Sequence, residues 1–241
     1  MSVSPLPLAS LGTVSPLTSL APYYRNPRLE QVTRVPEGVK RVLDVGCGAG
    51  AFGSLVRSEH AAEIWGIELV PEVAGFARER LDRVYAGDAL QVMPHLPAGY
   101  FDLITFNDVL EHLAWPWDAL RETRRLLAPG GKVLASLPNL RLWKPLMRIM
   151  LDGDFPHEDS HTFDRTHLRW FTQKSIPRFF SESGFRVLSL EGIEERYSRT
   201  LRVLNLVTRN RLNDCRYLQF SILAEPDPNA VGNGPARNSA Q

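Results

Sequence analysis

The run Arg41-Val-Leu-Asp-Val45, passing at once into Gly46-Cys-Gly-Ala-Gly50, constrains this chain more than any other stretch. A short apolar strand that breaks into closely spaced glycines turns sharply and leaves free backbone N–H groups where the next helix begins. That helix is expected over 51–59, followed by a strand over 63–68 and a helix over 71–81 that starts with Pro71. A short strand over 84–86 and a buried strand over 101–106 come next, then an amphipathic helix over 117–127. Pro129-Gly-Gly131 reads as a turn into a strand over 132–137. Beyond residue 138 the pattern loosens, until a helix over 174–183 and strands over 185–191 and 216–224. Strand and helix alternating in this way predict an α/β fold, a doubly wound parallel sheet covered on both faces.

A chain of 241 residues, 44% apolar and 23% charged, is long enough for one sizeable core with appendages. Residues 1–22, rich in Pro and Ser, read as a disordered N-terminal arm, and residues 225–241 as a disordered tail. The domain is therefore expected over 23–224. The formal net charge of +1 advertises no nucleic-acid partner. Cys47 and Cys215, the two cysteines, form no C-x-x-C pair and suit a reducing, cytoplasmic setting. No apolar run is long enough to span a bilayer, and the N-terminus lacks the basic start of a signal peptide.

Open sheets of this kind bind ligands beyond the carboxyl ends of their strands. Glu68, eighteen residues after Gly50, closes the second strand where a carboxylate can accept both hydroxyls of a ribose. Two nucleoside ligands compete for such a loop. Gly46-x-Gly48-x-x-Ala51 fits the dinucleotide fingerprint, yet Asp44 would oppose a pyrophosphate and suits a ligand carrying a cationic amine. No Tyr is followed four residues later by Lys, so the catalytic pair of a short-chain reductase is missing.

Taken in order, Val-Leu-Asp44-Val-Gly46-Cys-Gly48-Ala-Gly50, Glu68, Gly87-Asp88-Ala89, Phe101 through His112 and Leu127-Ala-Pro-Gly-Gly131 resemble the successive motifs of class I S-adenosylmethionine-dependent methyltransferases. The resemblance covers about residues 40–140. It implies a seven-stranded, mainly parallel, Rossmann-like sheet with a lid insertion, its last two strands antiparallel. It also implies S-adenosylmethionine as cofactor, with Asp44, Gly46, Gly48 and Gly50 around its methionine part and Glu68 on the ribose. Asp88 and Ala89 would meet the adenine, and Asn107 the methionine end.

Methyl transfer to a hydroxyl needs alignment, exclusion of water and removal of a proton. His112 is placed to take that proton, with His167 as a second candidate. Asp108-x-x-Glu111-His112 is similar to the E-x-x-E-H segment of ubiquinone-type O-methyltransferases, which can hold a divalent metal; with Asp at the first position, no metal is expected here. Trp115 and Trp117 either shield the site or pack beside it.

Two readings compete for the next segment. His157-Glu158-x-x-His161, with His167 beyond, spells a zinc-hydrolase motif, but Pro156 and several poor helix formers argue against the single helix that chemistry needs. The same residues run into Asp164-Arg-Thr-His167-Leu-Arg169-Trp-Phe171-Thr, similar to a segment of methyltransferases linked with polysaccharide assembly. On that reading residues 139–173 form a lid over the acceptor, with His161, Asp164 and Arg169 touching the substrate. The basic amphipathic stretch 140–151 within it can lie on a membrane surface or pack as a lid helix. Arg196 through Arg216, with six arginines and one Asp, is a solvated basic face or an anion patch. The expected activity is methyl transfer from S-adenosylmethionine to a hydroxyl of a sugar, polysaccharide precursor or other small metabolite. A zinc hydrolase and a non-catalytic cofactor-binding protein are the alternatives.

Overall fold

A computed structural model describes residues 22–230 other than Ser160 and Tyr197. Seven strands, β1 (Arg41–Val45), β2 (Glu63–Glu68), β3 (Arg83–Ala86), β4 (Phe101–Asn107), β5 (Leu127–Pro138), β6 (Phe185–Glu195) and β7 (Tyr217–Pro226), form one sheet. Their order is β3-β2-β1-β4-β5-β7-β6. The first five pair in parallel, and β7 runs antiparallel between β5 and β6. The expected doubly wound α/β fold is thus the observed one.

The helices are α1 (Leu29–Val32), α2 (Ala51–His60), α3 (Pro71–Ala77), α4 (Ala89–Val92), α5 (Pro116–Leu126), α6 (Trp143–Met147), α7 (Ser175–Glu182) and α8 (Arg199–Val207). Alternation along the strands assigns them to two faces. Val42, Ile64, Leu103 and Leu134 pack with Val32, Phe52, Val56 and Ala77 of α1, α2 and α3. Their neighbours Leu43, Trp65, Ile104 and Val133 pack with Ala119, Leu120, Ile176 and Phe180 of α5 and α7. Successive side chains of a strand point to opposite faces, so burial of both explains why apolar residues stand at adjacent positions in β1 (Val42, Leu43) and β4 (Leu103, Ile104).

Several expected boundaries move. Helix α3 stops at Ala77, and the Pro129-Gly-Gly131 turn is absorbed into β5, whose register on β4 jumps from Phe101↔Leu127 to Leu103↔Lys132. The tail does not begin at 225: β7 continues to Pro226, paired with Phe185, and Arg124 donates to the carbonyls of Asp227 and Ala230. Residues 1–21 and 231–241, most of the proposed arm and tail, lie outside the described residues. Gly192 of β6 is required locally, because Tyr217 on β7 lies over the position a Cβ would take.

The first and last turns of this architecture set up the site. Strand order reverses at β1, which has β2 on one side and β4 on the other, and ligands of such sheets bind at that crevice. The chain after β5 returns to the turn that follows β4 through α6, a wider turn over Arg148–Asp152, and a single turn over His161–Phe163.

Candidate active site

The glycine loop is held from three directions. Gly46 and Cys47 both donate their N–H to the Ile67 carbonyl, at 2.8 and 3.0 Å, and Gly48 donates to Glu68 Oε2 at 2.9 Å. Ala49 donates to the carbonyl of Tyr24 at 2.9 Å, so the N-terminal segment lies across the loop. Gly46, Gly48 and Gly50 have φ of +73°, +54° and +80°, a region that L side chains enter only with strain. A Cβ on Gly48 would also stand 2.8 Å from the Tyr24 carbonyl oxygen.

The two acids of the loop differ in state. Glu68 also accepts the Val70 N–H at 2.9 Å, yet each of its oxygens retains a lone pair for a ligand hydroxyl. Asp44 is buried at the end of β1 and accepts from the Thr105 hydroxyl at 2.7 Å. Burial raises its carboxyl to about 7; the Thr105 bond works against this, and the neighbouring Glu68 charge adds to it. Burial raises the Cys47 thiol as well, which keeps it an inert packing group. Asp88 caps α4, its Oδ1 accepting from Leu90 N–H at 2.7 Å and Gln91 N–H at 3.3 Å, and Ala89 opens that helix.

Asn107, the last residue of β4, has both its side-chain amide nitrogen and oxygen buried with no hydrogen-bond partner. Buried amides are nearly always satisfied, so this pair is available to a ligand. Asp108 follows with φ +55° and turns the other way, into a network that the sequence does not disclose. It accepts from the Ser136 hydroxyl at 2.7 Å and from Gln219 at 3.0 Å, and it forms an ion pair with Arg28. Arg28 in turn donates to Ser136 at 2.8 Å, which pins the N-terminal segment to the ends of β4 and β5.

Glu111 and His112 complete a single turn after β4, and the segment around Leu168 packs onto it. Leu168 and Arg169 donate their N–H groups to the Glu111 carbonyl at 2.8 and 3.0 Å. His112 and His167 meet edge to face, ring centroids 4.8 Å apart, and one ligand atom from each of Glu111, His112 and His167 lies within 4.8 Å of the others. Burial, and then the Asp108 charge, raise the Glu111 carboxyl well above its ordinary range. Burial and His112 lower the His167 imidazole, against the pull of Asp164, so that it is neutral at pH 7. The sequence raised no expectation that His167 would join Glu111 and His112 in one cluster of donors.

The lid residues expected to touch substrate are engaged within the protein. Asp164 accepts from the N–H of Thr166 at 2.8 Å and from its hydroxyl; burial would raise the Asp164 carboxyl, but these bonds and the two histidines outweigh it and lower it. The Thr166 hydroxyl lies 3.0 Å from His112 Nδ1. Arg169 donates to the carbonyls of Ala114 and Leu168 and lies over the Trp117 ring. Trp117 itself packs on Phe179 and donates to Glu182, so it belongs to the core wall. The side chain of His161 lies outside those described.

The zinc-hydrolase spelling is overturned by the backbone. His157 and Glu158 are not helical, Glu158 bridges to Asp164 and is ion-paired with Arg148, and only His161–Phe163 makes a short turn. No helix face carries His157 and His161 together, which that chemistry requires.

A family model described as a methyltransferase domain matches residues 20–190. A ubiquinone biosynthesis O-methyltransferase of Burkholderia pseudomallei (strain 1710b) is 26% identical over 159 residues, covering 64% of this chain and 68% of that protein. One from Xanthomonas axonopodis pv. citri (strain 306) is 34% identical over 134 residues, 53% of this chain and 54% of that protein. Among solved structures, a SAM-dependent methyltransferase from Archaeoglobus fulgidus superposes with a TM-score of 0.62 at 22% identity, over 82% of this chain and 90% of that one. A 1,6-didemethyltoxoflavin-N1-methyltransferase from Burkholderia thailandensis, solved with its substrate and S-adenosylhomocysteine, gives 0.56 at 15% identity, over 85% and 78%.

Proposed function

Because the chain belongs to the methyltransferase-domain family and is an S-adenosylmethionine-dependent methyltransferase, we propose that it methylates a hydroxyl oxygen of a small acceptor held under the lid. The observation that carries this reading is His112, a proton acceptor at the carboxyl edge whose Nδ1 is fixed by Thr166 and, through it, by Asp164. With Nδ1 so engaged, Nε2 is left to receive a proton. Methyl acceptors that carry a lone pair without a proton to lose need no such group.

The cofactor supplies a methyl group already activated on a sulfonium, so the chain's work is to bind, align and deprotonate. Asp44 and the turn at Gly46, Gly48 and Gly50 receive the cationic methionine end, and Asn107 offers it the two orphaned amide atoms. Glu68 holds the ribose hydroxyls, and Asp88 with Ala89 borders the adenine. His112 takes the proton of the acceptor hydroxyl as its oxygen attacks, with His167 packed against its ring.

Asp164 and Arg169, on which a sugar reading leaned, are tied up within the lid. Exposed aromatic rings remain: Phe155 and Trp170, 42% and 44% exposed with centroids 6.0 Å apart, form a surface on which a sugar or an aromatic ring can stack. The relatives named as ubiquinone biosynthesis O-methyltransferases favour the aromatic member of that pair. A bilayer would be met at the lid, where Met150 and Leu151 are exposed beside Lys144 and Arg148. Among the described residues no helix is long and apolar enough to cross a membrane.

The test is transfer of an isotopically labelled methyl group to a panel of phenols, catechols and nucleotide sugars, with products read by mass spectrometry. An O-methylated product that disappears in His112→Ala, while cofactor binding persists, supports the reading. Methylation confined to nitrogen or carbon acceptors overturns it.

A further inference from the structure

Between α8 and the start of β7 the arginine-rich stretch closes round a cavity that none of the proposed cofactor or acceptor residues lines. Leu201, Arg202 and Asn205 of α8 form one wall, and Leu212, Asn213 and Arg216 the other, around a volume of about 90 Å3. Arg209 and Asn210, with φ of +53° and +62°, turn the chain back along α8, and Asn205 Oδ1 accepts the Leu212 N–H at 3.0 Å. The single turn Asn213–Arg216 is fastened in turn to the chain leaving β5. Asn139 Nδ2 donates to the carbonyls of Asp214 and Tyr217 at 2.8 and 3.0 Å, and Arg141 donates to Asp214 Oδ2 at 2.9 Å. Three residues beyond Arg216, Gln219 stands opposite Pro138 and donates to Asp108. The cavity therefore sits at the carboxyl edge, tied to the base of the 139–173 segment and to the turn after β4.

Its charge is one-sided. Between Glu195 and Glu225 the chain carries six arginines and a single acid, Asp214. Asp214 is taken up by Arg141, and Glu195, 3.5 Å from Arg216 Nε, offsets one arginine of the wall. The Arg216 guanidinium is held in place, donating to the Tyr217 hydroxyl and lying over that ring. A guanidinium fork matches the oxygens of a phosphate, and asparagine amides add neutral donors. We propose that this cavity is a phosphate subsite, in which Arg202 and Arg216 hold a phosphate group carried by the methyl acceptor. Leu201 and Leu212 give it an apolar backing, against which such bonds strengthen. The inference deepens the hydroxyl-acceptor reading by naming a substrate class, phosphorylated hydroxyl compounds, and rests on that reading only for which molecule bears the phosphate.

The experiment is calorimetric titration of the full chain with inorganic pyrophosphate, in buffer without phosphate or sulfate and with no acceptor present. One saturable site per chain is expected, and saturating S-adenosylmethionine should leave it unchanged. Arg202→Ala and Arg216→Gln should each weaken binding about tenfold or more. Arg202 is exposed on α8, so its variant keeps the proposal testable if the other misfolds. Arg199→Ala and Arg209→Ala should stay within about twofold of the parent. Two further titrations identify the carrier: tighter binding of uridine diphosphate than of pyrophosphate assigns the group to a nucleotide, and tighter binding of dihexanoyl phosphatidic acid, below micelle formation, to a lipid. Any of three results overturns the proposal. The first is no saturable pyrophosphate binding by chain that still binds S-adenosylmethionine. The second is competition between the two ligands, which puts the anion at the glycine loop. The third is an equal loss in Arg199→Ala and Arg209→Ala, which reduces the site to a diffuse basic field. Failure here leaves methylation of unphosphorylated hydroxyls standing, and failure of the acceptor screen leaves the pyrophosphate site standing.

Discussion

Glu68 accepts the Gly48 N–H at 2.9 Å, so the acid assigned to the ribose also closes the glycine loop. Replacing it by Ala removes a charged acceptor from the loop and from the ligand at once. Hydrogen bonds to charged groups contribute about 1.5–3 kcal/mol each. Glu68→Ala should therefore weaken S-adenosylmethionine binding by at least about 2 kcal/mol, roughly thirtyfold, in a calorimetric titration. Glu68→Gln should lose nearly as much, since one of its two acceptor oxygens becomes an amide donor facing an N–H.

Asp44 gives the protein a pH signature. Burial pushes its carboxyl up to about 7 in the ligand-free fold, from an ordinary value of 3.8. Between those values the folded chain keeps a proton that the unfolded chain has released, so unfolding is increasingly favoured as pH rises through this window. The melting temperature of the ligand-free protein should fall from about pH 4 to about pH 7 on this account and level off above, a slope that Asp44→Asn removes. A cationic ligand favours the ionised form. Binding of S-adenosylmethionine at pH 6 should release a proton, seen as a buffer-dependent heat, and binding at pH 8.5 should release almost none.

Gly48 is the point of the loop where a side chain would meet backbone below 3 Å. Its φ of +54° strains any side chain, and a Cβ there would stand 2.8 Å from the Tyr24 carbonyl oxygen. Gly48→Ala should cost about 1–3 kcal/mol of stability. It should also free the segment around Tyr24, measured as earlier proteolysis near Arg25 and Arg28. A variant with the parent's melting temperature and cleavage pattern would count against this account of the loop.

The parts of the molecule that sequence discloses are those whose cause is local. Strands β1, β2 and β4 read correctly because burial on two faces puts apolar residues at neighbouring positions, and the glycine loop because its φ values restrict residue type at alternate positions. The full length of β6 and β7 was hidden. Gly192 lowers the strand signal of β6, and only the facing Tyr217 explains it. The Arg28–Asp108–Ser136–Gln219 network was hidden for the same reason, since it depends on β4 and β5 pairing with Asn107 opposite Ser136. In the lid, polarity was legible but direction was not. Nothing in the spelling of Asp164 or Arg169 says that one turns to Thr166 and the other to the Ala114 carbonyl.

Thr166 offers a way to separate orientation from chemistry. Its hydroxyl lies between Asp164 and His112 Nδ1, so Thr166→Val keeps the volume and removes the link. With a hydroxyl acceptor identified, His112→Ala should lower kcat by about a hundredfold or more. Thr166→Val should lower it less, about tenfold. Both should leave the KM for S-adenosylmethionine within about twofold, and a rise in that KM with unchanged kcat would place the histidine on the cofactor instead.

Surface contact is separately measurable. Met150 and Leu151, 67% and 75% exposed on the lid, stand at the same carboxyl edge as α8, where Val203, Leu206 and Val207 are 63%, 79% and 75% exposed. From Arg196 to Asn213 the chain carries five arginines and no acid. Vesicles rich in anionic phospholipid should sediment with the parent protein, and Met150→Asp with Leu151→Asp should reduce the bound fraction severalfold. Equal binding to neutral vesicles would exclude the arginines from that contact.

The two amide bonds from Leu168 and Arg169 to the Glu111 carbonyl have a consequence for anyone who would re-engineer this protein. They run from backbone to backbone, so no substitution other than proline removes them, and whatever sequence that segment carries is hung from the residue that adjoins His112. On the proposed function, swapping the segment 139–173 for that of a relative would exchange the proposed acceptor cradle and the imidazole at 167 in a single step. On that reading acceptor choice and reactivity are inherited as a unit, and a chimera that changes the first without the second must rejoin this chain before His167.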